Sequence, residues 1–157
     1  MQLTEHFTLE EFTRSALATR CGIANVPSPE AVSNLQDLCL HILEPLRRHL
    51  GHPVRISSGY RCTMVNVGVG GVANSQHTRG EAADIIVSGL MPQAYMFIRD
   101  HLPYDQLIME RTWIHVSYRK DRNRHQEIVI RPNEERELGI RAFPPITKYP
   151  SSIGPVC

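Results

Sequence analysis

Between Pro29 and Gly51, apolar side chains recur at Leu35, Leu38, Cys39, Ile42, Leu46 and Leu50, the spacing that lines one face of an α-helix. Ser28 offers an N-cap oxygen, Pro29 suits the first helical position, where no N–H is needed, and Glu30 sits near the positive end of the helix dipole. Pro45 is expected to kink this helix and Gly51 to end it. Upstream, Thr8-Leu9-Glu10-Glu11 has the form of a capping box, which predicts a short helix to about Ser15, pinned to the core by Phe7 and Phe12. A loop is then expected through Gly22. Downstream, Pro53–Ser57 reads as a short strand, Arg61–Val67 as a short helix, Ala82–Val87 as a buried strand and Met91–Leu102 as a helix. Branched and aromatic runs at about 105–110, 113–118 and 126–131, separated by short turns, read as an antiparallel meander. The expected fold class is α+β, a single domain with a small antiparallel sheet and flanking helices.

Length agrees with one domain, since 157 residues suffice for a core but not for two independent ones. Its boundary is drawn at 1–131, because residues 132–157 hold five of the eleven prolines and read as an extended C-terminal extension along the surface. A formal charge of +1 points away from nucleic acid and anionic membranes as partners. No apolar run is long enough to span a bilayer, and the N-terminus carries acidic residues where a signal peptide would be basic and then apolar. Synthesis in the cytoplasm without a signal peptide is therefore expected, with reduced thiols at Cys21, Cys39, Cys62 and Cys157, and the chain is read as a monomer. Arg119, Lys120, Arg122 and Arg124 form a basic turn, read as a solvated loop.

The chemistry gathers between Ser57 and Ile85, a stretch with five of the ten glycines placed as turn punctuation around polar residues. There His77 and Asp84 offer an imidazole nitrogen and a carboxylate oxygen, donors that suit zinc. Asp84, between Ala82-Ala83 and Ile85-Ile86, must be paired, hydrogen-bonded or coordinated. A third donor is His115, which interrupts the strand-like run Trp113–Tyr118. If Arg111-Thr112 form a two-residue turn, Glu110 lies opposite Trp113 on the face of His115, one diagonal step away, where a carboxylate can act as general base. Asp105 is the next carboxylate to consider for that role. The competing accounts are a loop histidine, a strand-end carboxylate, a satisfied core histidine and a solvated turn carboxylate. Asn66, Ser75 and Gln76 hold the loop together in the plainer account.

Written as SGYR-x4-N-x2-VGG-x3-S-x-H-x2-G-x-A-x-D-I, with W-I-H-V-S downstream, this pattern resembles the signature of the M15 family of zinc peptidases, the D-alanyl-D-alanine carboxypeptidase and phage-lysin group. Cys62 departs from it, where a serine or threonine is expected. The resemblance implies a fold like that of the D-Ala-D-Ala peptidases and the hedgehog domain. It further implies one zinc ion on His77, Asp84 and His115, and Glu110 as the catalytic carboxylate. Arg61 is the fixed positive charge for a substrate carboxylate or an oxyanion, and Ser75 and Trp113 are further substrate-binding candidates. The implied substrate is the peptidoglycan stem peptide, cut at a terminal D-Ala-D-Ala or at an internal bond, and the implied site of action is the cell envelope. The other readings are a phage or prophage lysin and a non-catalytic zinc-bearing binding module on the same fold.

Overall fold

In the computed structural model residues 1–130 are described; the Pro-rich extension expected at 132–157 lies outside them. The chain opens with Phe7 and Phe12, both buried with ring centroids 6.3 Å apart, around helix α1 (Leu9–Thr13). The expected capping residue acts here: the Glu11 carboxylate accepts the backbone N–H of Thr8 at 2.7 Å and its hydroxyl at 3.1 Å. The loop expected through Gly22 is instead a second helix, α2 (Ala16–Cys21), closed by Gly22 at φ 63°. Ser15 caps it by accepting the N–H of Ala18 at 3.2 Å. With only a single buried residue, Ala18, it has no apolar periodicity to betray it.

Helix α3 (Pro29–Leu38) starts as expected, with the Ser28 hydroxyl accepting the N–H of Ala31 at 3.1 Å. The kink expected at Pro45 takes another form, a π-helical turn over Cys39–Leu43 that leads into α4 (Glu44–Leu50). Proline lacks the N–H of the regular ladder and its ring crowds the carbonyl four residues back, and widening the preceding turn relieves both. The extra residue also rotates Leu43 into the core beside Ile42 and Leu46, so the buried stripe continues. Gly51, at φ 60°, ends the helix.

Five strands form one sheet: β1 (Arg55–Ser58), β2 (Ala82–Ile86), β3 (Gln106–Met109), β4 (Ile114–Ser117) and β5 (Gln126–Val129), in the order β1-β2-β4-β3-β5. Helix α5 (Thr63–Gly68), a 3₁₀ turn (Gln76–Arg79) and helix α6 (Met91–His101) fill the connections. The first four strands pair antiparallel, but β5 runs parallel to β3, so the sheet is mixed and the expected antiparallel meander is corrected at its last strand. The cause is edge availability: β4 is already paired on both sides, by β2 and β3, and the chain must pass the head of β3 to reach a free edge. Alternation then separates the two faces of the sheet. Ala83, Ile85, Leu107, Ile114 and Val116 join the helices in the core, while Asp84 and His115 face the other way. Cys39 and Cys62 are free thiols, but Cys21 is disulfide-bonded, so the expectation of four reduced cysteines does not hold.

Candidate metal centre

Strand pairing sets Asp84 directly opposite His115, and the two side chains meet, with His115 Nδ1 at 3.0 Å from Asp84 Oδ1. His77 arrives from the 3₁₀ turn, which the Ser75 hydroxyl caps by accepting the His77 backbone N–H at 3.3 Å, and which Gly80 closes at φ 72°. A side chain at Gly80 would lie 2.3 Å from the Ala31 carbonyl, so the turn packs against α3 only because the position is glycine. The His77 ring is oriented by its Nδ1–H, donated to the Gly59 carbonyl at 2.7 Å. That leaves the lone pair of Nε2 directed at Asp84 Oδ1, 3.4 Å away. The donor atoms of His77, Asp84 and His115 all lie within 4.8 Å of one another.

Electrostatics favours a cation between them. Burial works against the Asp84 charge, but the hydrogen bond from His115 and the closeness of the His77 ring outweigh it and hold the carboxyl well below the usual carboxylate range. Burial pushes the His77 imidazole down, against the pull of Asp84, so the ring is neutral near pH 7. A neutral ring whose proton is on Nδ1 faces a carboxylate oxygen with lone pairs on both sides. A divalent ion turns this repulsion into coordination, and two nitrogens with one oxygen form a donor set that zinc accepts.

Arg61 completes the cluster. Its Nη2 donates to Asp84 Oδ2 at 3.1 Å and its Nε to the Ser58 hydroxyl at 3.0 Å, while its backbone N–H reaches the His77 carbonyl at 3.2 Å. Burial lowers its pKa and Asp84 opposes the shift; an arginine remains charged at such a site. Arg61 therefore occupies the outer oxygen of Asp84 and leaves Oδ1 to the centre. Ser75 is buried behind His77 rather than presented to solvent.

The expected hairpin register is observed, with Met109 opposite Ile114 and the Glu110 N–H donating to the Trp113 carbonyl at 3.0 Å. Glu110 and Trp113 thus share the sheet face of His115, Trp113 36% exposed at the rim and Glu110 half-buried. The diagonal separation of Glu110 from His115 is roughly 7 to 8 Å by sheet geometry. Asp105, the other candidate base, is corrected: it has no exposed surface, and its carboxylate already accepts from Arg124 and Gln76. A second gathering of possible donors, Glu5, His6 and Glu44, is closed, because Glu44 accepts from the Thr4 hydroxyl at 2.8 Å and from His6 Nδ1, and pairs with Arg48 Nε at 3.4 Å.

Sequence reasoning missed the Gly59 carbonyl and the Ser58 hydroxyl as the groups that aim His77 and Arg61. The available signal was the glycine inside S-G-Y-R. Asn66 does hold its loop, donating to the Val72 carbonyl at 2.9 Å. Among known proteins, residues 5–117, well over half of the chain, match the family model described as Peptidase M15. No curated protein matches the chain.

Proposed function

Because the chain belongs to the M15 peptidase family, we propose that it is a zinc-dependent peptidase acting on peptidoglycan stem peptides, with preference for a D-Ala-D-Ala terminus. The observation that carries the metal reading is the convergence of the His77 and His115 nitrogens on one oxygen of Asp84. His77, Asp84 and His115 would hold the zinc, which would supply Lewis acidity to activate water and polarise the scissile carbonyl. Glu110, on the same sheet face, takes the proton of the attacking water and passes it to the leaving amine. Arg61 keeps a positive charge beside the centre, which favours a substrate carboxylate or the developing oxyanion. Trp113 at the rim offers an apolar surface to the peptide.

Substrate choice follows from the ends of the peptide. A carboxypeptidase recognises a free terminal carboxylate and an endopeptidase leaves both ends of the cleft open; Arg61 is compatible with either, and the preference rests on the likeness of the segment from Ser58-Gly59-Tyr60-Arg61 to His77 and Asp84 to the carboxypeptidase branch. Peptidoglycan places the site of action in the cell envelope. No described helix is long and apolar enough to cross a membrane. The test is to incubate the zinc-loaded protein with purified peptidoglycan and with a stem pentapeptide, and to identify products by mass spectrometry. Released D-alanine is the expected result. New internal N-termini without D-alanine would replace the carboxypeptidase by an endopeptidase of lysin type, and no cleavage with zinc bound would leave a binding module.

A further inference from the structure

The donors of the centre come from separate segments, and one residue outside it bonds to the elements that carry two of them. Asp105, just before β3, is 0% exposed. Its backbone N–H donates to the Ser117 carbonyl at 2.8 Å and its carbonyl accepts from Gln126 at 2.9 Å, which joins it to β4, the strand of His115, and to β5. Its carboxylate accepts from the Arg124 backbone N–H at 2.9 Å, from Arg124 Nε at 3.0 Å and Nη2 at 2.7 Å, and from Gln76 Nε2 at 3.0 Å. Gln76 opens the 3₁₀ turn and immediately precedes His77.

A buried carboxylate must be paired and hydrogen-bonded, and Arg124 alone meets that need with three donors. The Gln76 bond adds no charge. What it adds is position, because it ties the turn of His77 to the residue that is itself fixed on β4. The hold on this point is firm: the residue after Arg124, His125, sits at φ 51°, a left-handed conformation that costs free energy and persists only where its surroundings enforce it.

We propose that Asp105 is a positioning residue of the metal centre, acting through Gln76 to fix the turn that carries His77 relative to the strand that carries His115. The proposal rests on the metal reading of the trio. An ion pair that merely staples the loop before β5 would have no effect on metal affinity once the protein is folded.

The experiment measures zinc dissociation constants by chelator competition, with unfolding midpoints of the metal-free proteins, for wild type, Gln76→Leu, Asp105→Asn and the double variant. Gln76→Leu removes the amide donor and leaves the Arg124 pair intact. It is expected to weaken zinc about tenfold, at the lower end of what outer partners of metal ligands cost, with the metal-free midpoint little changed. The double variant is expected to bind no more weakly than the weaker single one, since both changes cut the same link. Glu81→Ala, which removes the other side-chain contact of Gln76, at 3.4 Å, together with the Glu81 pair to Arg79 at the end of the turn, is expected to keep wild-type affinity. Wild-type zinc affinity in Gln76→Leu, additive losses in the double variant, or an equal loss in Glu81→Ala would each overturn the proposal while leaving the metal centre in place. A wild type that binds no zinc would overturn both. Should Asp105→Asn fail to fold, Gln76→Leu and Glu81→Ala decide the matter.

Discussion

Gly59 joins two tasks that only a residue without a side chain can combine. A Cβ there would lie 2.6 to 2.8 Å from backbone and side-chain atoms of Phe12, where Tyr60 donates its N–H to the Phe12 carbonyl at 2.8 Å. The Gly59 carbonyl is also the acceptor that aims His77. Gly59→Ala is therefore expected to lower stability by about 1 to 3 kcal/mol through overpacking. Displacing the partner of a ligand imidazole should also weaken zinc by about 10- to 100-fold. Thermal unfolding and chelator competition on the same preparation check both, and unchanged zinc affinity would show that His77 does not depend on that carbonyl. For Glu110→Gln the expectation differs: zinc is retained, and hydrolysis falls by about 10² to 10⁴, because the amide cannot take the proton. Residual cleavage at the wild-type rate would move the base elsewhere. The trio was legible because side-chain type shows in a sequence: a charged residue inside Ala-Ala-Asp-Ile-Ile needs a partner wherever it folds. The Gly59 carbonyl was not, since every residue carries one and only the tertiary approach of His77 singles it out.

At the scale of elements, what the chain announced were caps and periodicities, and what it hid were pairings between distant segments. Ser28, Pro29 and Gly51 marked the ends of the long helical segment, and the stripe from Leu35 to Leu46 marked its buried face. Nothing local says that β5 must pass β4 to lie parallel to β3, because that depends on which edges remain free. Asp105 stands where this crossing is made, and its titration reports on it. Burial raises its pKa, but the side-chain and backbone hydrogen bonds of Arg124, with that of Gln76, outweigh burial and leave it below the ordinary value. A depressed carboxylate adds stability that is present above the unfolded pKa, about 3.9, and is lost as pH falls through the folded value. Acid unfolding of wild type is thus expected to include this group below about pH 4, and Asp105→Asn, less stable at pH 7, is expected to show a flatter loss of stability in that range. Circular dichroism during acid titration measures it. Parallel curves for the two proteins would mean that Asp105 is not held as an ion.

For the whole molecule, the division of the sheet into two faces decides how metal and folding are linked. One face packs on the helices, with Phe7, Phe12, Leu35, Leu38, Ile42, Leu46 and Ile98 in a shared core. The other carries Asp84 and His115, with His77 from the adjoining turn. None of the three proposed ligands lies in the first 50 residues, which supply most of the large core side chains, so the metal-free chain is expected to fold, unlike a small zinc finger. Zinc at the proposed site is then expected to add stability by mass action, about 2.7 kcal/mol when the free ion is at a hundred times its dissociation constant. For a domain of this size that corresponds to a rise in Tm of about 8 °C. His115→Ala removes one donor from the outer sheet face and leaves Ile114 and Val116 in the core, so it is expected to melt cooperatively near the metal-free wild type and to gain almost nothing from added zinc. Calorimetry with and without zinc separates the cases. An equal gain in both proteins would place the ion elsewhere on the surface, and a wild type that unfolds when zinc is removed would mean that the outer face, not the helical core, holds the fold together.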